Sequence, residues 1–102
     1  MSEKEKRQIT DNDVKRKAVK HVILYMKKKA DGSFTGKEQL MQWIEEMTLL
    51  LADEEKFIPA DYHAMRKRLN GIVESITEHD RRVSLRNSWL SLGKALDRRA
   101  KP

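Results

Sequence analysis

Apolar side chains recur at intervals of three and four residues in four separate stretches of this chain. Such spacing places the side chains on one face of a helix, whereas a half-buried strand needs strict alternation. No stretch of the sequence sustains that alternation, and no hairpin turn joins two such stretches. The pattern therefore predicts an all-α fold, a small four-helix bundle, with helices near 11–30, 36–52, 60–77 and 83–98.

Each predicted helix contributes its apolar stripe to one core. Two tryptophans lie on these stripes, so we expect both to be internal rather than available for stacking on nucleic-acid bases. The predicted core consists of Val14, Val22, Tyr25, Met26, Leu40, Trp43, Ile44, Met47, Leu51, Tyr62, Met65, Leu69, Ile72, Ile76, Leu85, Trp89, Leu92 and Leu96.

Two helix starts carry the same signature. Thr10 is followed three residues later by Asp13, and Thr35 is followed by Glu38. Both pairs are typical of a capping box, in which two side chains satisfy the free amides at the start of a helix. The turn-forming pair at 70–71 interrupts the third stretch, but the apolar stripe keeps its phase across it. We therefore expect one continuous helix there, at a cost of about 1 kcal/mol for the glycine.

A chain of 102 residues has room for one domain. We expect a disordered charged tail over residues 1–9 and a single helical domain over 10–102. No apolar run approaches the roughly 18 residues that a membrane helix needs, so a membrane partner is not favoured. Cysteine is absent, which excludes disulfides and thiolate zinc sites. The first residues contain no apolar signal core, and a cytoplasmic location is therefore expected.

Charge is distributed unevenly along the chain. The net charge is +6, and residues 1–30 and 81–102 each contribute +6. Residues 31–56 contribute −5 and residues 57–80 contribute −1. The first and last predicted helices are therefore basic, and the second is acidic.

The basic faces of the first and last helices are the leading candidate for a functional site. Several cations on one face release counterions when they neutralise nucleic-acid phosphates, and arginine adds bidentate phosphate contacts. A helix-turn-helix is disfavoured, because the connection between the second and third predicted helices is longer than the three or four residues that this motif needs. The predicted nucleic-acid-binding residues are Arg16, Lys17, Lys20, Lys27, Lys28, Arg81, Arg82, Arg86, Arg98 and Arg99.

A protein partner is the alternative. Leu24 lies among the lysines of the first helix, and Val83 and Leu90 lie beside the apolar stripe of the last helix. Small side chains form one edge of that last helix, which would let another helix come close: Ser84, Ser88, Ser91 and Ala95. Leu24, Val83 and Leu90 are therefore predicted to form a partner interface, in a homodimer or with an acidic protein.

The sequence favours a non-enzymatic regulatory protein that contacts nucleic acid or a nucleic-acid-bound machine. It contains no nucleophile elbow, phosphate-binding glycine loop or dinucleotide fingerprint. His21, His63 and His79 lack metal-ligand spacing, and neighbouring glutamates on a helix diverge by about 100° rather than converging on a substrate. We therefore expect no catalytic residues, no metal and no cofactor.

Overall fold

The structure is a computed structural model that describes residues 9–53 and 57–100. It contains four helices: α1 (Asp11–Lys29), α2 (Lys37–Ala52), α3 (Pro59–Glu74) and α4 (His79–Leu96). The described residues form no strand, and the predicted all-α bundle is confirmed. Of the tail predicted at residues 1–9, residues 1–8 lie outside the described residues.

The start of α1 has the predicted capping box. The Asp13 amide donates a hydrogen bond to Thr10 Oγ1 at 3.1 Å, and the Thr10 amide donates to the Asp13 carboxylate at 3.0 Å. These two bonds satisfy backbone amides that the helix itself leaves free. The prediction that α3 continues through residues 70–71 is also confirmed, with Gly71 exposed to solvent.

The capping box predicted at Thr35 is wrong. Gly36 is the N-cap of α2, with a φ of 84° that glycine adopts without a steric cost. Thr35 bonds across the end of the bundle instead. Its amide donates to the Glu78 carboxylate at 3.0 Å, and its hydroxyl lies 2.8 Å from the Thr77 hydroxyl. Thr77 and Glu78 lie in the connection between α3 and α4. α3 therefore ends before them, at Glu74, and α4 begins at His79, four residues earlier than predicted.

The Thr35–Glu78 contact makes stability depend on pH. The Thr35 amide holds the pKa of Glu78 below its ordinary value. A carboxyl with a lowered folded-state pKa stabilises the fold at neutral pH, and this contribution is lost as pH falls through that pKa. We expect the urea midpoint, followed by circular dichroism, to fall from about pH 5 downward. Glu78→Gln should start from a lower midpoint at pH 7 and fall less.

Glu45→Gln is the control for that measurement. Glu45 is exposed on α2 and has no partner among the described residues. Its variant should keep the acid dependence of the original protein. A Glu78→Gln variant with that same dependence would show that the contact between the two connections does not stabilise the fold.

The helices form a ring in which each packs against two neighbours. α1 contacts α2 and α4, α3 contacts the same two helices, and the α1–α4 contact is the most extensive. α1 and α4 are antiparallel: the Ala100 amide donates to the Asp11 carboxylate at 2.8 Å, while Arg81 bonds the Lys29 carbonyl at the other end. The two basic ends of the sequence are therefore adjacent in space.

All four helices contribute to one buried cluster. Trp43 is completely buried, and its indole Nε1 donates to the Met65 carbonyl at 2.8 Å. Most of the predicted core is buried, while five of its members are only half-buried: Val14, Val22, Met65, Ile72 and Trp89. Buried apolar residues that the prediction omitted are Val19, Ile23, Ala30, Phe57, Val73 and Ala95.

The prediction that Tyr25 belongs to the core is wrong. Its side chain is 56% exposed, and Lys29 Nζ lies 4.4 Å from its ring centroid. α1 is rotated so that Val19, Ile23 and Met26 point inward. This rotation moves Tyr25 to the edge of the helix that faces solvent.

Small side chains on α4 let α1 approach closely. Ser88 and Ala95 are buried, and Ala95 and Ser91 line the same groove as Ala18 and Val22 of α1. Small residues at a helix contact allow the two backbones to come near each other. Two members of the small-residue edge of the last helix, Ser88 and Ala95, are therefore buried inside the bundle, whereas Ser91 is exposed in the groove beside α1.

The opposite edge of α4 is held to α3 by Arg66 and Trp89. Arg66 Nε donates to the Trp89 carbonyl at 3.2 Å, and Trp89 Nε1 donates to the Arg66 carbonyl at 3.0 Å. The Arg66 guanidinium also lies 3.8 Å from the Trp89 ring centroid, as a cation–π contact. Gly93 leaves room for this guanidinium, since a Cβ there would overlap Arg66 Nη2.

Alanine at Gly93 is expected to displace Arg66 from Trp89. Gly93→Ala and Gly71→Ala both gain about 1 kcal/mol of helix propensity, but only at Gly93 are the contacts of Arg66 lost. Gly71 has no atom within 4 Å of an added Cβ, so Gly71→Ala should stabilise the fold. Urea unfolding should give Gly93→Ala a free energy of unfolding about 1–3 kcal/mol below that of Gly71→Ala.

An Arg66→Ala background provides the control. Without the guanidinium the clash at Gly93 is absent, so Gly93→Ala should then stabilise the fold as Gly71→Ala does. Equal effects of the two alanines in the original background would contradict the proposed role of Gly93.

Candidate nucleic-acid interface

Six of the ten cations predicted to bind nucleic acid are both exposed and free of side-chain hydrogen bonds and ion pairs to the described residues. Four lie on α1, and two lie just after the end of α4. They are Lys17, Lys20, Lys27, Lys28, Arg98 and Arg99.

The other four predicted cations have partners inside the fold. The Arg16 guanidinium donates to the Leu51 carbonyl near the end of α2. Arg81 donates to the carbonyl of the last residue of α1, and Arg82 donates to the carbonyl of Ile76, just after α3, at 2.9 Å. Arg86 of α4 forms an ion pair with Glu74 of α3, with 2.7 Å between Nη2 and Oε1.

Two pairs of consecutive cations share one geometry, and we call their four members the cationic caps: Lys15, Arg16, Arg81 and Arg82. Each pair lies in the first two turns of its helix. Lys15 Nζ donates to two carbonyls at the end of α4, at 2.7 and 2.6 Å, while Arg16 reaches the end of α2. Arg81 and Arg82 likewise reach the ends of α1 and α3.

The antiparallel ring explains this geometry. Each helix start is flanked by the ends of two neighbouring helices, whose last carbonyls lack intrahelical partners and carry partial negative charge. Consecutive residues on a helix diverge by about 100°, so a pair of adjacent cations can reach both neighbours. The cationic caps therefore join helices to one another, and their charge is directed into the fold.

Further contacts neutralise part of the charge at the start of α4. Arg81 also pairs with Asp31 at 3.0 Å, and its guanidinium lies 4.8 Å from the Phe34 ring centroid. The hydrogen bond and charge of Arg81 hold the pKa of Asp31 below its ordinary value. Among the described residues, the exposed cations without a side-chain partner are therefore concentrated on α1 and at the end of α4.

Cations of both basic helices line one open groove at the α1–α4 contact. The groove has a volume of about 1040 Å³, with Lys17 and Lys20 on α1, and Lys94 and Arg98 from the α4 side. Small and apolar side chains lie between them, including Ala18, Val22 and Ala95. The sequence prediction missed Lys94, which is exposed. Its signal is the spacing of four residues to Arg98, which puts both on one face.

The acidic surface lies elsewhere. α2, the acidic helix, packs against α1 and α3, so it is diagonal to α4 in the ring. Glu46 of α2 pairs with Arg68 of α3, which lowers the pKa of Glu46 and raises the pKa of Arg68. This ion pair uses an α3 cation and involves none of the six exposed, unpartnered cations of the prediction.

The residues predicted to form a partner interface are all exposed. Leu24 is 54% exposed, Val83 is 40% exposed and Leu90 is 47% exposed. Leu24 lies on α1, whereas Val83 and Leu90 lie on α4. Their role in binding a partner stays a prediction.

The residues at 9–53 and 57–100 contain no group of three or more His, Asp or Glu side chains placed to hold a metal ion. None of the helices that the structure describes is long and apolar enough to cross a membrane. When the chain is compared with protein-family models, curated proteins and solved structures, it matches none of them.

Proposed function

We propose that this protein is a small non-enzymatic regulator that contacts nucleic acid, or a machine bound to nucleic acid, through the exposed cations of α1 and α4. The observation that supports this most is the groove where these helices meet. Lys17 and Lys20 of α1, and Lys94 and Arg98 from the α4 side, line it together. Residues separated by more than 70 positions in sequence thus contribute to one electropositive surface.

The exposed cations are suited to phosphate contacts. They have no internal partner among the described residues, so binding a phosphate breaks no bond of the fold. Each contact releases condensed counterions from the nucleic acid, which makes affinity fall steeply with salt. The cationic caps are not part of this proposal, because their donors are occupied by helix ends.

The tryptophans favour contact with the backbone over stacking on bases. Trp43 is buried, and the ring of Trp89 is covered by Arg66. Phosphate contacts position a protein on nucleic acid but carry no sequence information. We therefore expect similar affinities for mixed-sequence duplexes of equal length.

Fluorescence anisotropy with labelled mixed-sequence DNA and RNA tests the proposal. Binding at about 50 mM salt should weaken by at least tenfold at about 200 mM salt. Replacing both Lys17 and Lys94 with Gln should weaken binding by roughly tenfold and reduce the salt slope by about two.

Lys67→Gln is the matched control. Lys67 is an exposed lysine without a partner among the described residues, and it lies on α3, diagonal to α1. Its variant should bind within about twofold of the original protein. Absence of binding to both nucleic acids at low salt would overturn the proposal. An equal loss of affinity at Lys67 would show that charge alone, rather than the α1–α4 surface, governs binding.

A further inference from the structure

α1 and α2 each present an outward stripe of four exposed side chains, with the same spacing and opposite charge. The basic stripe of α1 is Lys17, His21, Leu24 and Lys28. The acidic stripe of α2 is Glu38, Gln42, Glu45 and Leu49. Both follow steps of four, three and four residues, which keep side chains on one helical face. Each stripe contains an exposed leucine, at 54% for Leu24 and 68% for Leu49.

The two stripes also match in height along the bundle. α1 ends at Lys29 and α2 begins at Lys37, so these two residues lie at about the same height along the antiparallel pair. A residue of α1 and a residue of α2 are therefore level when their numbers add up to about 66. Arg16 donates to the Leu51 carbonyl near the other end of this helix pair, and the sum of their residue numbers is nearly the same. The level pairs are Lys28 with Glu38, Leu24 with Gln42, His21 with Glu45, and Lys17 with Leu49.

We propose that two copies of this chain associate through these stripes, about a twofold axis parallel to the helices. This rotation preserves height and places α1 of each copy over α2 of the other, so every contact occurs twice. Lys28 then meets Glu38 of the second copy, and His21 meets Glu45 of the second copy. Leu24 and Leu49 lose exposed apolar surface in the same contact.

The charge pattern selects this axis. A twofold axis perpendicular to the helices would place α1 on α1 and oppose the lysines of the two copies. Like charges brought together at an interface strongly disfavour association. With the axis parallel to the helices, each basic stripe faces an acidic one.

This interface differs from the one that the sequence predicted. Leu24 is retained, but the second apolar residue of the interface is Leu49 of α2, level with Lys17, rather than Val83 or Leu90 of α4. Ser88 and Ala95 of the small-residue edge that pointed to α4 are already buried inside the bundle. Association through the stripes does not require nucleic acid, but it affects nucleic-acid binding. The dimer covers Lys17 and Lys28, so a polyanion and a second copy compete for them.

Sedimentation equilibrium of the full chain, prepared free of nucleic acid, tests the proposal. At about 200 µM protein and 50 mM salt we expect a dimer that dissociates as salt is raised to about 500 mM. Lys28→Glu and Glu38→Lys should each weaken association by about tenfold or more, because each opposes like charges twice per dimer. The combined variant restores opposite charges and should associate within about threefold of the original protein.

Lys67→Glu and Leu90→Asp are the controls, since both residues are exposed and lie outside α1 and α2. Neither change should alter association. A protein that stays monomeric at low salt would overturn the proposal. Single variants that associate as the original protein does would also overturn it, and so would a charge swap that fails to restore association. Either result would show that Lys28 and Glu38 do not meet at the interface.

Discussion

Replacement of Trp43 with Ala is expected to lower the free energy of unfolding by about 3–5 kcal/mol. Trp43 is completely buried, and its indole donates to the Met65 carbonyl. The substitution therefore leaves a large cavity between α2 and α3 and removes a buried hydrogen bond. Domains of about this size have total stabilities near the lower end of 5–15 kcal/mol, so the variant should be largely unfolded at 37 °C. Urea unfolding followed by circular dichroism measures the loss.

Trp43→Phe separates the two contributions. It keeps most of the buried ring and loses the donor, so we expect a smaller loss of about 1–2 kcal/mol. A Trp43→Ala variant whose urea midpoint stays near that of the original protein would show that the ring does not lie in the core.

Arg16→Ala is expected to lower the free energy of unfolding by about 1.5–3 kcal/mol, the range for a lost hydrogen bond to a charged group. The substitution removes the donor that satisfies the Leu51 carbonyl and the cation that faces the end of α2. The end of α2 would then lack this hydrogen bond to α1. Urea unfolding at neutral pH measures this change.

Lys17→Ala is the matched control for Arg16→Ala. Lys17 is the next residue, also cationic, but it is exposed and has no partner among the described residues. Its replacement should change stability by no more than about 0.5 kcal/mol. Similar losses for the two variants would mean that Arg16 acts only through long-range charge.

The sequence predicts the fold because its strongest signals are local. Apolar spacing of three and four residues specifies four helices, and the cap of Thr10 depends only on Asp13, three residues away. Thr35 shows the limit of such reasoning. The same local pattern fails there because Glu78, far along the chain, binds the Thr35 amide. The prediction that Tyr25 belongs to the core is wrong for a related reason, since the rotation of α1 is set by its contacts with two other helices.

The candidate site is less predictable for the same reason. Sequence treats Arg16 and Lys17 as equivalent members of a basic face. The structure separates them, because the carbonyl that Arg16 binds comes from a different helix. The sequence does contain a signal that distinguishes the cationic caps from the exposed cations. Consecutive cations near a helix start oppose the dipole of their own helix, which indicates that they interact with the ends of neighbouring helices.

We infer that the cationic caps stabilise the fold whereas the exposed lysines of α1 do not, and charge-matched variants test this division. One variant replaces the four cationic caps with Gln, and the other replaces Lys17, Lys20, Lys27 and Lys28 with Gln. Both lower the net charge by four. The measurement is the free energy of urea unfolding at neutral pH. We expect the first variant to lose most of its stability, whereas the second stays within about 1 kcal/mol of the original protein. Equal losses in the two variants would contradict this division between the caps and the exposed lysines.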